Sequence, residues 1–384
     1  MRVSATALTG LEGEWARCRW PWNECVAVSL RVHIGNKTAG EKATCGPARL
    51  DRMLTEARTA MGWLREGSSV PQQQIIRDFG TSRAKAVKDI RARLPVRQRA
   101  GIPRPKKKRE ALPSLNYTRR GFRIRDGRLH LAGGIVLTVV WSRGLPADPT
   151  SVRVYQDSAG AWYAGFVVAT ETETEPLAAT GRVIGIDWGV KETATTTSDA
   201  HDLPHAQHGR KAQEKLTRYD RMMARRKPKR GHAGSKGYRH AKKLRSKLYK
   251  KVAGQRQDTA RKWAKRVVRD HDALAVEDFR PKFLAQSTMA RKAADAAIGA
   301  TKRALMEMGR KHGRTVHLVH PAHTTMDCAQ CGARAKHALP LSERTYTCTA
   351  CGAVSPRDKN SARVMLVRAG LDPASADLVS PATC

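Results

Sequence analysis

Two sets of residues have the types and spacing to do chemistry. The first is Cys328-x2-Cys331 followed by Cys348-x2-Cys351, two knuckles each closed by a glycine, CAQCG and CTACG. Four thiolates at this spacing match a tetrahedral metal site, and the glycines free the backbone to turn tightly around the ion. A closed shell of four thiolates leaves no position for a substrate, so the expected Zn²⁺ is structural. The second set is three carboxylates. Asp187 ends the apolar run VIGID, Glu277 ends ALAVE, and Asp358 opens RDKNSARVMLVRAG. Each alone has an ordinary explanation: Asp358 as a helix cap, Asp187 as a turn residue before Trp188 and Gly189, Glu277 or Asp278 as the partner of an arginine. Together they fit an RNase H-like arrangement, in which neighbouring strands and a flanking helix bring distant acids to one point. Carboxylates so gathered repel one another until cations neutralise them. A pair of Mg²⁺ or Mn²⁺ ions ~3.5–4 Å apart would do this, while activating a water and stabilising the leaving oxygen of a phosphodiester displacement.

The elements that must position these groups follow from hydrophobic periodicity. VIGID and ALAVE read as short buried strands, the Thr-rich run after Gly189 as a second strand, TVHLVH as a strand leading into the cysteines, and RDKNSARVMLVRAG as a closing helix. Residues 252–271 and 285–312 carry helical spacing. Upstream, GFRIRDGRLHL, GGIVLTVVW, SVRVYQDS and AWYAGFVVA alternate with period two and predict a small antiparallel barrel or sheet. Residues 47–97 predict helices broken near Gly67 and Pro71. The first forty residues, with the alternating VAVSLRVHI, predict a strand-rich opening. A Thr/Glu-rich linker falls at 170–180, and the last dozen residues read as a loose tail.

The chain has 384 residues and a formal net charge of +38, far more than solubility needs, which points to a polyanionic partner. There is no run of about 18 apolar residues, no lipidation signal and no apolar core of a secretory signal, so a membrane surface is the poorer candidate and a cytoplasmic location is expected. Of the eight cysteines, Cys18, Cys25, Cys45 and Cys384 lie outside the paired pattern and read as ordinary thiols. His317, His320, His323 and His337 are near the knuckles but not needed as ligands. Charge concentrates in residues 210–251, where eighteen Lys or Arg face two acids, Glu214 and Asp220. Leu216, Tyr219, Met222, Leu244, Leu248 and Val252 recur at helical intervals there. The reading is two basic helices around the breaker RKPKRGHAGSKG, presenting Arg225, Arg226, Lys229, Arg230, Lys242 and Lys243 to phosphate. The basic connector RPKKKRE at 104–110 is a second expected phosphate contact.

The succession GIDWGVK, AVEDF, CAQCG, TCTACG and RDKNSA, with LPLSERTYTC between the knuckles and SVRVYQDSAGAWYAGFVV upstream, resembles the TnpB proteins of bacterial insertion sequences, which in turn resemble the smallest type V CRISPR effectors. The likeness is clear from roughly residue 100 to 366. It implies an α/β multidomain fold: a wedge-like β-barrel at 1–46 and 111–178, interrupted by a helical recognition insert at 47–110. An RNase H-like RuvC nuclease domain follows at 179–323, including the basic helices, with an inserted zinc ribbon at 324–354, a C-terminal helix at 355–370 and a tail at 371–384. It also implies an endonuclease that a guide RNA directs to double-stranded DNA beside a short adjacent motif. The family's three acids fall on Asp187, Glu277 and Asp358, and the choice of Glu277 over Asp278 rests on that pattern. Where family members commonly carry Ala-Ala after the last motif, this chain has Ser361-Ala362. A nuclease-inactive guided repressor and a transposase acting directly on element ends remain alternatives.

Overall fold

The computed structural model describes residues 1–38, 40, 43–108, 110–169, 176–229, 232–279, 287–337, 339–340 and 342–376. The chain divides into two compact units, Met1–Glu171 and Thr172–Cys384.

The first unit opens not on strands but on one long helix, α1 (Ala5–Thr38). The alternating apolar residues from Val26 to Ile34 fit a strand only in isolation. Leu11, Trp15, Cys18, Cys25, Val28 and Val32 make a continuous buried seam at three-, four- and seven-residue spacing, whereas Leu30 and Ile34 stay exposed. Helices α2 (Pro47–Ala60), α3 (Gly62–Arg65) and α4 (Ser69–Arg91) follow as expected, broken at 66–68, with Pro71 accommodated in the first turn of α4. Six strands come next: β1 (Ser114–Thr118), β2 (Phe122–Arg125), β3 (Arg128–Leu131), β4 (Ile135–Thr138), β5 (Pro149–Gln156) and β6 (Trp162–Val168). They pair as two antiparallel three-stranded sheets, β1-β5-β6 and β2-β3-β4, and no ladder closes them into one barrel among the described residues. The N-terminal residues join these sheets through a bridge, Arg2 to Thr138, and through the Met1 amino group, which donates to the Trp162 carbonyl of β6 at 3.0 Å.

In the basic connector, Arg104, Lys107 and Lys108 are exposed. Lys106 turns inward, its Nζ 3.8 Å from the Trp22 ring centroid and 5.3 Å from that of Trp15, and burial holds its pKa below the usual lysine range. Asn23 fixes the Lys106 backbone through its Oδ1, at 2.7 Å, and Lys107 pairs with Glu110. Arg109 lies outside the described residues. Cys18 and Cys25 are buried in this unit's core, where burial pushes the Cys25 thiol up to about 12.

The second unit is built on a five-stranded mixed sheet of order β11-β10-β7-β8-β9. Its strands are β7 (Val183–Trp188), β8 (Glu192–Thr196), β9 (Leu203–Pro204), β10 (Ala273–Glu277) and β11 (Thr315–Val319). β10 runs parallel to both β7 and β11, while β7, β8 and β9 form an antiparallel meander. Between β9 and β10 lie α5 (His208–Arg225) and α6 (Lys236–Asp270); between β10 and β11 lie α7 (Ala290–Ala296) and α8 (Ile298–Lys311). One face of the sheet packs on Trp263, Val267 and Val268 of α6 and Leu305 of α8. The helix that follows the hairpin β12 (Thr345–Thr347) and β13 (Val354–Pro356), α9 (Arg357–Arg368), contributes Met365 and Leu366 to a second cluster with Ala275 of β10 and Val319 of β11. Gly185 makes this possible: a Cβ there would stand 2.0 Å from the Ala362 carbonyl oxygen, so only glycine lets α9 approach β7 so closely.

The basic run 210–251 forms the expected helical hairpin, α5 against α6, zipped by Ala212, Leu216, Leu248 and Val252. Residues 230 and 231 of its loop, the 170–175 portion of the linker and residues from 377 onward, Cys384 among them, lie outside the described residues. Among the described residues no helix is long and apolar enough to cross a membrane.

Candidate metal and carboxylate centres

The parallel pairing of β7 and β10 aligns Ile186 with Val276, so the next residues, Asp187 and Glu277, emerge side by side at the ends of adjacent strands. Each carboxyl perturbs the other's protonation. Burial, then the charges of Glu277 and Asp358, lift the Asp187 carboxyl well above the usual range, and the Arg357 guanidinium only partly offsets them. Burial likewise pushes Glu277 up to about 7, against the opposing pull of the Trp188 N–H. Asp358 comes from the first turn of α9, is 37 % exposed at its side chain, and lies 3.8 Å from Arg344 and 3.6 Å from Arg357. Asp187 thus feels the charge of both Glu277 and Asp358. The ligand atoms of the three acids do not gather as tightly as the thiols do, since the cysteines are the sole group of three or more possible ligands within 4.8 Å of one another among the described residues.

Asp278, which sequence leaves as a rival to Glu277, is turned away and pairs with Lys302 of α8, while its N–H binds the Val319 carbonyl at 2.7 Å. Trp188, read from sequence only as part of a turn, clamps the second acid twice. Its backbone N–H donates to Glu277 Oε2 at 3.3 Å and its indole N–H to the Glu277 carbonyl at 3.0 Å. Burial, the main cause of the raised proton affinity of Asp187 and Glu277, is one that a bound cation would offset, and hard oxygen donors suit Mg²⁺ or Mn²⁺.

The four cysteines form two superimposable turns. Cys328 N–H binds the Ala333 carbonyl and Gly332 N–H returns to the Cys328 carbonyl, at 2.9 and 3.0 Å; Cys348, Ala353 and Gly352 repeat both distances. Gly332 and Gly352 share φ of 74°, the left-handed region that the knuckles need. Sγ separations of 3.7 Å (Cys328 to Cys351) and 3.6 Å (Cys331 to Cys348) match the ~3.8 Å edge of a tetrahedron with ~2.3 Å metal–sulfur bonds. The N–H groups of Cys351 and Ala350 draw the Cys348 thiol down to about 6. None of the neighbouring histidines joins this cluster.

Of the six cations singled out on the basic hairpin, Arg225, Arg226, Lys229, Lys242 and Lys243 are exposed, and Arg230 lies outside the described residues. Arg245, not among them, is committed internally: it pairs with Asp220 across the hairpin at 2.5 Å and lies over the Tyr249 ring.

The model of the OrfB IS605 family, described as a probable transposase, matches residues 166–288, and that of the Cas12f1-like TNB domain matches residues 299–365. A Streptomyces pristinaespiralis protein named as an RNA-guided DNA endonuclease is 29% identical over 357 residues, which cover 90% of this chain and 84% of the relative. InsQ of Escherichia coli strain K12, named in the same way, is 26% identical over 370 residues, 91% of this chain and 86% of its own. Among solved structures, the Cas12f1–sgRNA–target DNA complex contains a chain of the same fold, with a TM-score of 0.55 and 12% identity over 92% of this chain and 81% of that one.

Proposed function

Since the chain belongs to the TnpB/Cas12f-like family of RNA-guided nucleases, we propose that it is a transposon-associated endonuclease directed by a guide RNA to double-stranded DNA beside a short adjacent motif, with Asp187, Glu277 and Asp358 as its catalytic acids. The observation that carries this is the meeting of Asp187 and Glu277 at the ends of two parallel strands, with the Asp358 charge acting on Asp187. Divalent cations bound there supply an activated water and charge neutralisation at the leaving oxygen. The chain's own part is to hold the acids. Trp188 fixes the rotation of Glu277, Lys302 keeps Asp278 out of the site, and α9 delivers Asp358 on the face of the sheet that Gly185 and Ala275, two residues before Asp187 and Glu277, present to it.

Zn²⁺ in the Cys328, Cys331, Cys348 and Cys351 cluster is structural in this reading. The exposed cations of the α5–α6 hairpin hold nucleic-acid backbone, whose sequence is read by base pairing rather than by protein. The test is direct: purify the protein with its bound RNA, sequence that RNA, and offer supercoiled DNA carrying the matching target in Mg²⁺. Cleavage that follows the guide sequence supports the reading. A discrete bound RNA with guided binding but no cutting favours the inactive repressor, and cutting at element ends without RNA favours the direct transposase.

A further inference from the structure

Asp358 sits on the first turn of a helix, where backbone ends are ordinarily loose, yet this turn is tied down on every side. Lys359, one residue on, is only 16 % exposed; its ammonium donates to the Thr196 carbonyl at the end of β8 (2.9 Å) and to Asp202 (2.8 Å), and it pairs with Asp199 at 2.6 Å. Asp202 is itself held by the Thr196 N–H at 2.7 Å, so the three acceptors are a preformed cradle on the β8–β9 connection. On the other flank, the buried Asn360 uses both ends of its amide on the first zinc knuckle. Its Oδ1 accepts from the N–H of Ala329, the residue after Cys328, at 3.1 Å, and its Nδ2 donates to the Asp327 carbonyl at 2.8 Å. Arg357 reaches the loop between the knuckles, donating to the Pro340 and Glu343 carbonyls at 3.0 and 3.3 Å. Ser361 donates to the Thr324 carbonyl at 3.4 Å, a bond the alanine common at this place in the family would lack.

We propose that Lys359 and Asn360 are positioning residues for Asp358: Lys359 fixes the acid's turn to the central sheet and Asn360 couples it to the first zinc knuckle, so that the thiolate cluster governs the geometry of the divalent-cation site. This rests on the reading of Asp358 as a metal ligand. Neither side chain touches the reacting atoms. Outer-shell groups of this kind set metal affinity and rate by ~10–100-fold without being ligands themselves.

The experiment uses the full chain with its bound RNA and compares Lys359→Met, Lys359→Arg and Asn360→Leu with wild type and Asp187→Ala. Four quantities are read: zinc per chain, thermal midpoint, Mn²⁺ binding followed by electron paramagnetic resonance, and the single-turnover cleavage rate. Expected for Lys359→Met and Asn360→Leu are folded protein, guided binding within about twofold of wild type, and a ~10-fold or larger loss of both Mn²⁺ affinity and cleavage rate. Lys359→Arg, which keeps the charge and the donors, restores most of both. A purely structural role predicts a lower thermal midpoint with Mn²⁺ affinity unchanged, and that result overturns the proposal. Should Asn360→Leu fail to fold, the Lys359 pair decides alone: equal Mn²⁺ affinity in Lys359→Met and wild type sinks it. Wild type and Asp187→Ala binding Mn²⁺ equally would show instead that the acids are not the cation site, which brings down the functional reading along with the inference built on it.

Discussion

The thiolate cluster and the acid cluster meet along the chain only where Asp358 follows Cys351, and they are opposites in how they are satisfied. The four cysteines have everything they need within 4.8 Å: each knuckle closes on itself by backbone hydrogen bonds, and one ion completes the set. The three acids are gathered by the global fold from two adjacent strands and the helix packed on them, and the charge that would balance them comes from outside. Their proton affinity registers the deficit, since Glu277 is pushed up to about 7 and Asp187 well above the usual range. A closed set should support stability, whereas an open set should oppose it and reward a ligand. Loss of either therefore has a different consequence, and the contrast can be broken by experiment.

The largest effect is expected at the open set. Asp187→Ala, Glu277→Ala and Asp358→Ala should each lower cleavage by on the order of 10⁴-fold, the several kcal/mol of transition-state charge stabilisation that a lost metal ligand removes. Guided binding should survive, because affinity rests on many phosphate contacts. Both are measured on one target; an Asp278→Ala control, removing the acid held by Lys302, should cut normally. Substantial cutting by any of the three alanine variants would remove that residue from the catalytic set. Substitution at the closed set should act through folding. Cys328→Ser or Cys348→Ser should release zinc, seen by elemental analysis, and destabilise the second unit by about 3–5 kcal/mol. Well-folded wild type without stoichiometric zinc would end that assignment.

A smaller effect separates the two sets by pH. Glu277 moves from an ordinary 4.5 to about 7 on folding, and Asp187 moves in the same direction. The folded chain thus keeps protons that the unfolded chain releases, so this contribution to stability is full below ~4.5 and is lost as pH rises through ~7. At ~1.4 kcal/mol per unit it amounts to a few kcal/mol. In magnesium-free buffer the thermal midpoint should fall across that window; Glu277→Gln should flatten the fall, and added Mg²⁺ should shrink it by competing with the protons. A profile identical in wild type and Glu277→Gln would mean that the acids are not strained.

The difference between the sets also explains how much the sequence revealed. The cysteines were legible because their chemistry is local: two short spacings and two glycines specify the site. Asp187 and Glu277 were legible in part, since each ends an apolar run, but only the β7–β10 register shows that they meet, and only Lys302 separates Glu277 from Asp278. Lys359 was invisible because its cradle lies far away in sequence, Asp202 being 157 positions upstream. In the first unit, α1 was misread because Val26, Val28, Leu30, Val32 and Ile34 alternate, although the buried seam from Leu11 to Val32 was there to be counted. The inward turn of Lys106 was not legible, because a charge run says nothing about the tryptophans far upstream that receive one of its members.

The same distinction, charge satisfied within the chain against charge left for a partner, makes its finest prediction on the α5–α6 hairpin. Arg245 is already neutralised by Asp220, whereas Lys242 is exposed and no ion pair holds it among the described residues. Only charges that meet phosphate release counterions, at ~0.9 in the logarithmic salt slope per contact for duplex. Replacing Arg225, Arg226, Lys229, Lys242 and Lys243 by glutamine should therefore flatten the slope by up to ~4.5 and weaken binding to matched and mismatched targets alike. Lys242→Gln alone should flatten it by about 0.9 and cost only a few-fold in affinity at moderate salt. Arg245→Gln, one helical turn away and identical in formal charge change, should leave the slope nearly unmoved while loosening the hairpin. Titrations at four or five salt concentrations separate the two single variants. Equal slopes for both would mean that net charge alone, not the placement of particular cations, draws the nucleic acid in; an unchanged slope in the fivefold variant would take the hairpin out of the binding surface.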